Sequence, residues 1–288
     1  MPTNIERPPA SPIQNQSGEQ RSQNSRAEDR RGSTLDELRA RSQIIADQPY
    51  ILSCLDESLR RQRYAGSTDI SQFVFLALQT RFFENPVSLA IKGTSSSGKS
   101  YALRRALDFV PNDGVEVLHG LSEMALTYSN LDLRHRYLVI QEAAGMSEGR
   151  GRALLRQLLS EGRARYLTVQ QTGNGLESLE PPAIEGPTGL IMTTTAHALH
   201  PEDETRILSV HMDESPQRLQ EILRQRARAT SEPYTPDYDP WHALHNLIGI
   251  SDLRVKIPYL SDLVEQLPTI ASKFERKECG RMFDSYFG

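Results

Sequence analysis

Apolar residues recur at near-helical intervals from Leu35 onward, at Leu38, Ile44, Ile45, Ile51, Leu52, Leu55 and Leu59. Pro49 falls inside this run. It has no N–H to donate and clashes with the turn before it, so the pattern predicts two helices. Thr34 with Glu37 three residues on reads as a capping box for the first. Arg60-Arg61-Gln62-Arg63 followed by Gly66 closes the second. A third helix is predicted over Asp69–Phe83, with Phe73, Leu76, Ala77 and Thr80 on its apolar face. Before Leu35 the pattern is absent. Met1–Thr34 contains no Leu, Val, Phe, Tyr, Trp or Cys and is rich in Pro, Ser, Gln, Asn and Arg, so a disordered tail is expected there.

Beyond Phe83, strand patterns alternate with helical ones. Val87–Lys92, Val115–Leu118, Tyr137–Gln141, Gly189–Thr195 and Ile207–Met212 read as strands, and Ser100–Phe109, Leu121–Tyr128 and Gly151–Glu161 as helices. Arg165–Glu180 suggests a β-hairpin around the Gly173-Asn174-Gly175 turn signal. Such alternation predicts an α/β fold, a mostly parallel sheet with helices on both faces. A helical tail follows over Ser215–Ala229, His242–Ile250 and Leu260–Phe274, with the Pro-rich segment Glu232–Pro240 between the first two. The expected organisation is a tail over 1–34, a helical segment over 35–84, an α/β core over 85–230 and a C-terminal helical segment over 231–288.

Composition narrows the class. The chain has 288 residues, 38% of them apolar, with a net charge of −4, which suits one or two domains with ample core. Two cysteines, Cys54 and Cys279, exclude a disulfide scaffold and a four-cysteine zinc site. The seven histidines show no H-E-x-x-H spacing. No apolar run approaches the roughly 18–20 residues that span a bilayer, and no signal core opens the chain, so a cytoplasmic protein with no membrane partner is expected. Of 33 basic residues, 28 are Arg. Phosphate contact and a GC-rich genome both produce such an excess, so only the placement of particular arginines discriminates.

The strongest chemical signal is Gly93-Thr94-Ser95-Ser96-Ser97-Gly98-Lys99-Ser100, then Tyr101. It matches G-x-x-x-x-G-K-[ST] at every position, with a strand before it and a helix after it. Glycines permit a tight backbone whose N–H groups face phosphate oxygens, and the helix N-terminus adds positive dipole character. In this pattern Lys99 reaches the β- and γ-phosphates of ATP and Ser100 ligates Mg²⁺. The expected fold is therefore a P-loop NTPase core with a helical segment before it and a helical tail after it.

A carboxylate is needed at the end of a neighbouring strand. Tyr137-Leu138-Val139-Ile140 followed by Gln141-Glu142 is the candidate. Motor ATPases usually place Asp-Glu there; Gln141 stands where Asp is expected. Glu142 then either polarises the attacking water or sits behind the Mg²⁺ waters. In additional-strand P-loop ATPases a strand between the two motif strands ends in a polar residue near the γ-phosphate. Gly189–Thr195 ends in three hydroxyls, and Thr194 or Thr195 fits that role, although threonine also simply favours strands. Arg206, before a strand and after the acidic loop His200–Glu204, suits an arginine finger supplied to a neighbouring subunit; a salt bridge to Glu202 or Glu204 is the alternative.

Together, Val87–Tyr101, Tyr137–Gly145, Leu159–Val169 and Glu185–Pro216 resemble the helicase-type P-loop ATPases of phages and integrated mobile elements, which often accompany a DNA primase. Their core is similar to AAA+ helicases of the minichromosome-maintenance and viral superfamily 3 kind. The resemblance covers about Asp69–Arg228 and includes Glu204–Ser209 and the acidic-proline segment Asp213–Pro216. It implies an AAA+-like core, ATP hydrolysis with Mg²⁺ on Ser100 and Glu142, a ring like that of the hexameric helicases of this kind, single-stranded DNA as partner, and a primase or another replication protein nearby. It also implies that a loop or hairpin after the second motif projects into a central channel. Arg150, Arg152, Arg156, Arg163 and Arg165 would then meet the DNA backbone there by charge; a solvated basic face or a subunit interface is the other expectation. Two departures stand against the family pattern: Gln141, and a C-terminus shorter than usual, as in a truncated element protein. The rival expectations are a nucleic-acid-associated ATPase switch or loader that does not unwind, a small-molecule kinase, and a non-catalytic ATP-binding remnant.

Overall fold

The computed structural model describes residues 34–119, 132–142, 150–172, 175–179, 182–227 and 234–254, with isolated positions near 260. The predicted tail up to residue 33, the helix Leu121–Tyr128, the turn residues Gly173 and Asn174, and most of Leu260–Phe274 lie outside the described residues.

Residues 34–46 (α1) are helical, and Pro49 separates them from α2, Ile51–Arg61. Thr34 is already inside α1, not at a non-helical cap. α3 covers Asp69–Gln79 and runs into a 3-10 turn, Thr80–Phe82. Its buried face differs from the predicted one. Ile70, Ser71, Val74, Phe75, Ala77 and Leu78 are buried, whereas Phe73 and Leu76 are 45% and 44% exposed. Phe73–Leu78 is an unbroken apolar run that wraps the helix, so periodicity alone could not select the inward face.

The sheet strands are β1 (Ser88–Lys92), β2 (Val115–Leu118), β3 (Arg136–Ile140), β8 (Thr188–Thr194) and β9 (Ile207–His211). They form a five-stranded sheet in the order β2-β3-β8-β1-β9, and every pair is parallel. Two minor ladders lie outside it. β4 (Arg163–Ala164) pairs with β7 (Ile184–Glu185), and β5 (Thr168–Thr172) pairs antiparallel with β6 (Gly175–Leu179). The predicted hairpin is therefore present, with Thr172 opposite Gly175. α4 (Lys99–Leu107) follows β1, α5 (Arg150–Glu161) follows β3, and the short α6 (Pro201–Glu204) precedes β9. α7 (Pro216–Ala227) and α8 (Asp239–Ile250) complete the described elements.

Strand side chains alternate between the two faces. Leu89, Ile91, Tyr137, Val139 and Ile191 point to one apolar cluster, with Leu55, Leu59, Val74, Phe75, Leu103, Phe109 and Trp241. Ala90, Leu138, Ile140, Leu190 and Met192 point to the other, with Leu154, Leu155 and Leu158 of α5. Helices thus cover both faces, which is why the central strands are apolar throughout. On the first face Trp241 meets Phe75 and Phe109 edge-on, at 5.6 and 5.1 Å between ring centres. Among the described residues no helix is long and apolar enough to cross a membrane.

Candidate functional site

Because all five strands run the same way, their C-terminal ends share one edge. Lys92 of β1 lies beside Thr194 of β8 and His211 of β9, and Ile140 of β3 lies beside Met192. The loops after these strands therefore converge, the usual place for a ligand in an open parallel sheet.

Gly93–Ser100 joins β1 to α4 at this edge. Gly98 caps α4 in a left-handed conformation, φ +94°, which glycine adopts without steric cost. Gly93 N–H donates to Thr194 O at 3.3 Å. A Cβ on Gly93 would lie 2.8 Å from Ser97 Oγ, 2.9 Å from Glu214 Oε1 and 3.0 Å from Met212 Cβ, so only glycine fits. Lys99 is buried, and its Nζ donates to Gly93 O at 2.8 Å and Thr94 O at 2.6 Å. The cation is folded back inside the loop that follows β1. Thr94, Ser95 and Ser96 are exposed, as is Tyr101, whose ring packs on Tyr64 at 5.4 Å.

Past the end of β3, two strands from β1, Glu142 is exposed, with φ +61°. Its N–H donates to Thr193 Oγ1 at 3.0 Å. The hydroxyl bonded to this turn belongs to Thr193, one residue before the predicted Thr194 and Thr195. Thr193 shares the α4 face with Ile191, two residues back, whereas Thr194 points to the α5 face and accepts from Ala196 N–H at 3.1 Å. Thr195 lies exposed past the end of β8.

Arg206 lies at the opposite edge. Ile207 pairs with Ser88 at the start of β1, so at ~3.3 Å per residue Arg206 is about 20 Å along the strand from Gly93, where the loop begins. Its Nε donates to Ser160 Oγ at 2.6 Å, and its Nη1 to Glu202 O at 2.5 Å and Thr205 Oγ1 at 3.0 Å. Its contacts are a hydroxyl pair and a carbonyl; no salt bridge to Glu202 or Glu204 forms. Glu204 is engaged instead by Lys92, at 2.6 Å.

The arginines after the second motif are mostly tied within the chain. Arg152 and Arg156 both donate to Asp203, through Nε at 2.7 and 2.6 Å, and Arg156 also reaches Glu202 at 2.7 Å. Asp203 is buried. Arg163 pairs with Glu185 at 3.1 Å. Arg165 is exposed. The side chain of Arg150 lies outside the described residues. Of the arginines expected to meet DNA or to form a basic face or a subunit interface, Arg152 and Arg156 are drawn in by a buried carboxylate on α6.

Two further residues meet the loop: Glu214, within the acidic-proline segment Asp213–Pro216, and Arg218, which had no signal in the sequence. Glu214 accepts from Thr94 N–H. That bond holds its carboxyl below the usual range, helped by the Lys99 charge. Arg218, at the start of α7, is buried and donates through Nη1 to Ser97 O at 3.1 Å and Asp213 O at 2.6 Å. Only its position just after a strand that ends beside the loop could have marked Arg218.

Among the described residues no group of three or more His, Cys, Asp or Glu side chains is arranged to hold a metal ion. Compared with protein-family models the chain matches none, and no curated protein sequence matches it.

Proposed function

We propose that this chain is an ATP-binding and ATP-hydrolysing P-loop ATPase of the additional-strand, AAA+-like type, acting as a helicase- or translocase-like protein on DNA in phage or mobile-element replication. The observation that carries the ATPase reading is the position of Gly93–Ser100. It follows β1 at the C-terminal edge of a parallel sheet, and β8 lies between β1 and the strand that leads to Glu142.

The residues fit a triphosphate. Gly93 lets the backbone approach closely, Gly98 supplies the left-handed turn into α4, and Lys99 carries the cation inside the loop. Thr94, Ser95, Ser96, Ser97 and Tyr101 complete the cradle. Ser100 would hold Mg²⁺, which neutralises charge on the phosphates when bound. In the reaction, water attacks the γ-phosphorus in line with the leaving ADP oxygen. Glu142 orients that water, and the Thr193 hydroxyl fixes the turn that carries Glu142. Lys99 stabilises the developing charge. Arg206, about 20 Å from its own loop by strand rise, serves a neighbouring copy, which implies a ring.

The DNA part rests on the family resemblance and on the β5–β6 hairpin after α5. A second reading, an ATPase switch or loader that remodels a partner without unwinding, is favoured by the pairing of Arg152, Arg156 and Arg163 with carboxylates. The test is steady-state ATP hydrolysis with and without single-stranded DNA, beside Lys99→Ala. Turnover stimulated by DNA and lost in the variant supports the proposal, and strand displacement then separates motor from switch. A folded, nucleotide-binding chain without turnover would sink the roles of Glu142 and Arg206 and favour a non-catalytic remnant.

A further inference from the structure

We infer that Glu214 is a built-in competitor of the nucleotide's phosphate, a carboxylate latch that occupies the Gly93–Ser100 loop and must leave before a phosphate oxygen can take its place. The inference rests on the reading of that loop as the nucleotide site.

The geometry is specific. β9 ends at His211, and Met212 N–H donates to Lys92 O at 2.9 Å, which carries the chain directly over the start of the loop. Glu214 then sets Oε1 on the Thr94 N–H. The same oxygen would lie 2.9 Å from a Cβ at position 93, so the glycine that admits a phosphate also admits this carboxylate. A carboxylate offers what a phosphate oxygen offers, an anionic acceptor for a backbone N–H. Lys99, the other group expected to meet phosphate, donates to Gly93 O and Thr94 O. An amide and the cation of the loop are thus both engaged internally.

The anchor of the latch is separate from its tip. Arg218 is buried and bonds Ser97 O and Asp213 O, whereas Glu214 is exposed. The tip can therefore exchange with a ligand while Arg218 keeps the strand-to-helix turn beside the loop. Since α7 starts at Pro216, release of Glu214 changes the restraint on the first turn of that helix.

The experiment is equilibrium binding of a fluorescent ADP analogue to wild type, Glu214→Ala, Glu214→Gln, Lys99→Ala and Glu221→Gln. Displacing a solvent-facing, charge-assisted hydrogen bond corresponds to about fivefold in affinity. Glu214→Ala therefore binds about fivefold tighter than wild type, Glu214→Gln binds tighter by less, and Lys99→Ala binds poorly. Equal or weaker binding by a Glu214→Ala chain of wild-type Tm overturns the latch and leaves the nucleotide site standing. If Glu214→Ala does not fold, Glu214→Gln is judged by the same criterion. Equal tightening by Glu221→Gln, a carboxylate on α7 away from the loop, would make the effect one of net charge and overturn the latch as well. Binding by none of the folded chains overturns the nucleotide site itself, and the latch with it.

Discussion

The hydroxyl of Thr193 accepts a hydrogen bond from the backbone N–H of Glu142 at 3.0 Å, joining the end of β8 to the turn after β3. Glu142 holds a left-handed backbone, φ +61°, which a non-glycine residue adopts at a cost of roughly 1–2 kcal/mol. The hydroxyl offsets part of that cost. Thr193→Val is therefore expected to lower ATP turnover about tenfold with nucleotide affinity within twofold of wild type, and to cost about 1 kcal/mol of stability. Thr194→Val, on the other face of the sheet, keeps turnover within threefold. Parallel measurement of kcat and nucleotide Kd checks the pair; equal losses in both variants would remove Thr193 from the site.

Lys92 and Glu204 form a half-buried ion pair, with the lysine side chain 4% exposed and the glutamate 26%. Burial alone would raise the Glu204 carboxyl. The bonds from Lys92, Leu199 N–H and Ser209 outweigh it, and the net shift is downward. A carboxylate with a depressed folded pKa stabilises above its unfolded value, near 4.3, and that stability is lost as pH falls through the lower folded value. Glu204→Gln should lose about 2 kcal/mol at pH 7, much less at pH 3, because a lysine is left without its counter-ion. Urea unfolding at the two pH values reads this difference; a pH-independent loss would contradict it.

The arginines of the α5 region divide by partner. Arg152→Ala breaks a contact to buried Asp203 and is expected to cost about 2 kcal/mol of stability while leaving single-stranded DNA affinity unchanged. Arg165→Ala, at an exposed position, is expected to weaken DNA binding about threefold and to reduce the salt slope by about 0.7, the value for one phosphate contact on a single strand. Binding isotherms at several salt concentrations separate these outcomes, and the reverse pattern would place the DNA on α5 itself.

His245 lies on the buried face of α8, with Nδ1 2.8 Å from Gln79 Oε1. Burial, with help from the Arg81 and His242 charges, pushes its pKa down to about 3. The folded chain thus keeps it neutral while the unfolded chain takes up a proton near pH 6.5, so stability falls as pH drops from 6.5 toward 3. Between pH 7 and pH 5 the loss is about 2 kcal/mol. His245→Gln should flatten that part of the stability profile in urea melts; an unchanged slope would show that another group titrates.

Much of this fold is legible in local pattern. Gly93–Ser100 can be read directly because its chemistry is carried by consecutive residues, whose glycines and lysine sit where backbone geometry demands them. The sheet strands, too, fall within a residue or two of their expected ends, since buried strands between helices leave long apolar signatures. The inward face of α3 is different. Phe73–Leu78 is apolar without a break, and the neighbours of the helix, not its spacing, chose Val74 and Phe75 over Phe73 and Leu76.

The sequence by itself therefore determined the local elements, the alternation that makes a parallel α/β sheet, and the loop at residues 93–100, because each depends on residues close in the chain. Tertiary structure alone decided which of three successive threonines faces Glu142, that Asp203 withdraws Arg152 and Arg156, that Arg206 sits at the far edge from its own loop, and that Glu214 and Arg218 close over that loop. These are relations between strands ordered β2-β3-β8-β1-β9 in space but not in sequence. Hydrogen bonds and charges act over a few ångströms, so they are set only when the fold brings such distant segments to a common edge.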